Sequence, residues 1–137
     1  MKERLARKRP DDAAAVWQDD SVEIFVNPSG DRRTYHQFIV NSAGTLTDWK
    51  CDASTRRRHS DIGWNAGASA RVTRAADSWT AELAIPLAAF PDLDATRFPA
   101  EVVRVRRLTD GTVEYYHGSP YTRTPHDVVN YQSLLRK

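Results

Sequence analysis

With 137 residues, 40% of them hydrophobic and 28% charged, the chain is long enough to bury a core as one globular domain. A formal net charge of only +2 argues against a nucleic-acid partner, and a single cysteine, Cys51, excludes an intrachain disulfide. No apolar run approaches the ~20 residues of a helical membrane span, so no membrane partner is expected.

Residues 1–15 form a basic segment, Met1-Lys2-Glu3-Arg4-Leu5-Ala6-Arg7-Lys8-Arg9-Pro10 and onward, without a clear period. No apolar stretch follows the charges, so the segment does not read as a signal peptide. The remaining residues, 16–137, read as one domain.

Residues 21–27 alternate as a strand. Val22, Ile24 and Val26 share one face and suit a core. Ser21, Glu23 and Phe25 share the other, beside Trp17 and the acids Asp19 and Asp20. An aromatic platform next to polar hydrogen-bonding groups suits a sugar ring, which has an apolar CH face and a rim of hydroxyls. The turn Asn27-Pro28-Ser29-Gly30-Asp31 leads into a second strand, Thr34 to Asn41, which completes a hairpin. It places Phe38 and Val40 on one face and Gln37, Ile39 and Asn41 on the other.

Leu46 to Trp49 suit a short third strand, and residues 50–67 read as a long polar loop. Within that loop Cys51 is either a reactive or a bystander thiol and Trp64 either borders a ligand or packs the loop down, and in each case the sequence favours the second. A second hairpin follows: Ala70 to Arg74, a turn, then Trp79 to Ile85, ended by Pro86. Pro86 to Pro91 suit one helical turn with Pro at its start. Val102 to Leu108 and Val113 to His117 flank the turn Asp110-Gly111, and Tyr131 to Leu135 close the chain. The predicted core is Val22, Ile24, Phe38, Val40, Trp79, Leu83 and Ile85.

Many short strands, regular turns and almost no helix predict an all-β, antiparallel β-sandwich. No catalytic constellation stands out. The four histidines are scattered, and no pair of carboxylates is marked as a glycosidase pair. The expectation is a non-enzyme.

Three blocks carry a family resemblance. They are Trp17-Gln18-Asp19-Asp20-Ser21-Val22-Glu23-Ile24-Phe25, then Gln37-Phe38-Ile39-Val40-Asn41 with Ala43-Gly44-Thr45, then Trp79-Thr80-Ala81-Glu82-Leu83-Ala84-Ile85-Pro86-Leu87. In order and spacing the chain resembles the family 9 carbohydrate-binding modules and their DOMON-like relatives of jelly-roll type. The first block is similar to the family's Trp-x-x-Asp-Ser-Val-Glu-Ile-Phe. The resemblance implies two antiparallel sheets, non-catalytic binding of a mono- or oligosaccharide, and an extracytoplasmic parent protein active in polysaccharide catabolism. By position, Trp17 matches the first of two clamp tryptophans, and Glu23 and Asn41 match polar positions of the binding face. Gln37 joins them on the neighbouring strand. Arg104 falls where relatives often carry Asn.

The sequence departs from the family in three places. Ile39 stands where clamp-bearing members have Arg. The second clamp Trp falls near Pro125-His126, where Tyr121, His126 or Tyr131 are the available substitutes. Only 16 residues precede Trp17, where members have several strands. That start suggests missing N-terminal strands, an open sheet edge, and self-association through it.

Asp19 and Asp20 are candidate calcium ligands, since hard cations collect several oxygens. For Arg104 the competing role is an ion pair with Glu82 or Glu114. The rival reading of the whole chain is a structural or interaction sandwich that has lost the sugar site, or an accessory part of a glycoside hydrolase.

Overall fold

The computed structural model describes residues 4–6, 14–54, 59–94, 96–119 and 124–135. The strands are β1 (Ser21–Val26), β2 (Thr34–Asn41), β3 (Leu46–Asp52), β4 (His59–Asp61), β5 (Ser69–Arg74), β6 (Trp79–Ala84), β7 (Arg97–Arg107), β8 (Val113–His117) and β9 (Gln132–Leu135). All strand pairs are antiparallel. The large sheet runs β4-β3-β2-β1-β7-β8, and β9 pairs with the first part of β7. Hairpin β5-β6 forms a separate two-stranded sheet. The expected all-β antiparallel architecture is therefore present.

The three predicted hairpins, β1-β2, β5-β6 and β7-β8, are formed. The first turns at Asn27, which is fully buried. Its Nδ2 donates to Asp31 Oδ1 at 2.9 Å, and its Oδ1 accepts the Arg32 amide at 3.0 Å. Arg32 takes a positive φ of 58°, unusual for a residue with a Cβ. From there its guanidinium reaches the carbonyls of Val128 and Tyr131, tying the turn to the tail.

The large sheet is buried on both faces, which alternation within β1 alone did not reveal. Residues directly paired across strands share a face. On one face Val26, Phe38, Val40 and Leu46 pack under the β5-β6 hairpin, together with Phe90 and the half-buried Ile24, Trp64, Leu83 and Ile85. Of the predicted core, Phe38 and Val40 are buried here and Ile24, Leu83 and Ile85 pack against them half-buried, while Val22 and Trp79 fall outside the cluster. Val22 and Trp79 are only half-buried, and the Arg104 guanidinium lies over the Trp79 ring at 4.9 Å.

The other face carries a second core. Phe25, Tyr35, Cys51, Val103 and Val105 are covered by Val128 and Tyr131, with Trp49 and Val113 against them. Phe25 therefore does not stand on an open face: it is fully buried, because β1 is an inner strand and the tail folds back over it. Cys51 is corrected likewise. It lies on β3, buried, with its sulfur 3.4 Å from Ser60 Oγ. The polar run after Trp49 is not all loop, since β3 extends to Asp52 and β4 pairs with it.

Residues 4–6 lie against the sandwich. The Arg4 amide donates to the Arg107 carbonyl at 2.7 Å, and the Ala6 amide donates to Ser42 Oγ at 2.8 Å.

Candidate functional site

Trp17 sits on a short 3-10 segment, Ala14–Gln18, just before β1. Its side chain is 48% exposed, while Val16 beside it is fully buried and anchors the segment. The backbone is pinned from β7. Arg107 Nη2 donates to the Trp17 carbonyl at 3.3 Å, and its Nε donates to the Asp19 carbonyl at 3.4 Å. The indole is thus an exposed apolar plate on a fixed mount.

Glu23 and Gln37 lie on the sheet face below, on adjacent inner strands, and both are buried. Gln37 Nε2 donates to Glu23 Oε2 at 3.0 Å. Burial raises the Glu23 pKa from 4.5 to about 7, and this outweighs the opposing pull of the Gln37 hydrogen bond and the Arg107 charge. Cross-strand pairing puts Ser21, Gln37 and Thr47 on this same face. Their Ser21 Oγ, Gln37 Oε1 and Thr47 Oγ1 atoms are buried without a hydrogen-bond partner among the described residues. Unmatched buried polar atoms are unusual in folded proteins. Here three of them share one sheet face with Glu23.

The other expected site residues are placed differently. Asn41 is fully buried and holds the following turn: its Oδ1 accepts the Ala43 and Thr45 amides at 3.0 and 2.9 Å, and its Nδ2 donates to Asp19 Oδ2 at 3.0 Å. Arg104 points to the opposite face of β7, where it is paired with Val22 and Tyr116. Its ion-pair partner is Asp20, at 2.6 Å, rather than Glu82 or Glu114. Those acids are held by Arg71 and Arg106 instead. His126 packs edge-on against Phe25, and its Nδ1 lies 2.8 Å from the Tyr35 hydroxyl, at the aromatic end of the face. Tyr121 lies outside the described residues.

Asp19 and Asp20, the candidate calcium ligands, each have a protein partner. Asp20 Oδ1 accepts from Arg104 and from the Arg107 amide, and Asp19 is engaged by Asn41. Among the described residues no group of three or more His, Cys, Asp or Glu side chains is placed to hold a metal ion. The Asp20 carboxylate thus ties β1 to β7 through Oδ1, its Oδ2 is buried without a hydrogen-bond partner among the described residues, and the Asp19 carboxylate holds Asn41.

Neither Arg107, which shares a face with Val103 and Val105, nor Thr47 was among the site residues the sequence singled out. Period-two alternation in β7 and the register of β3 against β2 were the signals for both.

A model described as the carbohydrate family 9 binding domain-like family matches residues 6–112. Comparison with curated proteins and with solved structures found no match. The match covers most of the chain, including the exposed Trp17, the first two hairpins and all but the last two strands, so the chain belongs to the carbohydrate family 9 binding domain-like family.

Proposed function

We propose that this domain binds a sugar ring without cleaving it, by stacking the ring on Trp17 at the margin of the Glu23–Gln37 face. One observation carries the reading. A half-exposed tryptophan, its backbone carbonyl held by Arg107, precedes a strand whose inner face holds three buried polar atoms without a partner among the described residues. The CH face of a pyranose covers the indole, and its hydroxyls bond polar groups at the margin of that face. Protonated, Glu23 donates a hydrogen bond; ionised, it accepts two or more. Few ligand atoms leave water, so affinity for one or two rings falls in the micromolar to millimolar range.

The test is a tryptophan fluorescence titration with mono- and oligosaccharides, on the wild type and on Trp17→Ala. A saturable shift that weakens at least tenfold in Trp17→Ala, with circular dichroism unchanged, supports the reading. Equal binding by both proteins refutes it.

A second reading is an interaction domain in which the sugar site has been lost. It draws on the commitment of Asn41 to the turn, the opposite-face position of Arg104 and the complete burial of Ile39. It predicts no response to any sugar in the same titration.

A further inference from the structure

A cleft of about 420 Å³ opens on the far side of the large sheet, at the end of the β1-β2 hairpin. Its wall is aromatic. Trp64 stacks on Phe90 with ring centroids 6.4 Å apart and an interplanar angle of 19°, and His36 lies 4.3 Å from Trp64 and 5.0 Å from Phe90. Lys50, Thr34 and Asp92 also line it. His36 is 8% exposed, and its Nδ1 is buried without a hydrogen-bond partner among the described residues. Phe90 and Trp64 also touch the Phe38 core, so the wall is rigid.

The lining restricts the ligand. A purely apolar molecule would desolvate the Lys50 ammonium, the Asp92 carboxylate and the His36 imidazole without replacing their hydrogen bonds. An anion would gain from Lys50 but meet Asp92. Burial and the Lys50 charge hold the His36 ring neutral at ordinary pH. The formal charges of Lys50 and Asp92 then cancel, and a neutral ligand suits them. It needs a flat apolar face for the indole and phenyl rings and hydroxyls at its edge for Thr34, Lys50, Asp92 and the imidazole. The volume accommodates one or two sugar rings, since small-ligand pockets begin at roughly 300 Å³.

We infer that the Trp64–Phe90–His36 cleft is a second binding site for an uncharged pyranose, on the opposite sheet face from Trp17. It draws on none of the residues around Trp17. Two such sites facing away from each other let one domain bridge two glycan chains, and the effective concentration of the second site then raises retention on a polymer.

The experiment follows the four tryptophan indole N–H resonances in nitrogen–proton correlation spectra. The probes are glucose, xylose, galactose, their β-1,4 disaccharides, and sodium glucuronate as the anionic comparison. Proteins are the wild type, Trp17→Ala and the surface double variant Lys50→Ala/Asp92→Ala. The expected result is a saturable Trp64 shift with a neutral sugar that persists in Trp17→Ala and weakens about fivefold or more in the double variant. That factor corresponds to one lost hydrogen bond.

A still Trp64 with every neutral sugar up to roughly 100 mM, well above the weakest dissociation constant expected, overturns the inference. So does a Trp64 shift that vanishes with Trp17, or a response to glucuronate alone. If Trp17 moves and Trp64 does not, the Trp17 reading survives and this one fails; the reverse result separates them the other way.

Discussion

Glu23 and His36 are buried titratable residues whose pKa values move in opposite directions. Glu23 is raised from 4.5 to about 7 by burial, so the folded chain holds this proton more tightly than the unfolded chain. Its stabilising contribution is complete below about pH 4.5 and is lost as pH rises towards 7. His36 is lowered from 6.5 to about 4 by burial and the Lys50 charge. Its contribution is complete above about pH 6.5 and is lost as pH falls towards 4. Between these limits the two slopes oppose each other. In Glu23→Gln the His36 slope is therefore expected to emerge, with stability rising from about pH 4 to 6.5. At pH 8 the variant should exceed the wild type by about 3 kcal/mol, from the size of the Glu23 shift. Urea unfolding of both proteins across this range checks the prediction, because the difference cancels every other group. A constant difference at all pH values would show that Glu23 titrates normally. Asp20 offers a second check at this scale. It is fully buried and paired with Arg104. Asp20→Ala leaves that guanidinium without its partner and is expected to cost about 3–5 kcal/mol in the same assay.

The β1 strand shows how an element can mislead when read alone. Its alternation is real, and each of its faces contributes side chains to a core. Phe25→Ala is expected to destabilise by about 3–5 kcal/mol, since the ring is fully buried among Tyr35, His126 and Tyr131. Val22→Ala, at a half-buried position, should lose about 1 kcal/mol or less. Equal losses in thermal or denaturant unfolding would contradict the two-core description. The turn after β2 depends on Asn41 in a comparable way. Asn41→Ala removes two amide acceptors and the link to Asp19, with an expected loss of about 2–4 kcal/mol. A variant that kept full stability and lost only sugar binding would return Asn41 to the ligand site.

For the whole molecule, the seven-stranded sheet is wider than the two-stranded hairpin that covers it. Exposed Val102, Tyr116 and Leu134 form an apolar strip on the same sheet face as the hairpin, beyond its cover. Exposed apolar patches of this kind recruit partners or hydrophobic dyes. Sedimentation velocity over a concentration series is expected to show self-association, and Val102→Lys to suppress it together with dye binding. A monomer at every concentration that binds no dye would identify the strip as inert surface.

The sequence by itself determined the strand-rich class, the three hairpins and the turn chemistry of Asn27-Pro28-Ser29-Gly30-Asp31, because period-two alternation and turn residues are local properties. The three motif blocks also carried the family assignment. Local pattern reached less of the site. It placed Glu23 and Gln37 on one face and Trp17 before β1, but it could not tell a ligand-facing Asn41 from a turn-holding one. Nor could it show that Arg104 leaves that face to meet Asp20 and Trp79. Tertiary structure decided these points, together with the tail that closes over Phe25 and the meeting of Trp64, His36 and Phe90 in a cleft. Each depends on contacts between residues far apart in the chain, and those contacts exist only once strand order and register are set.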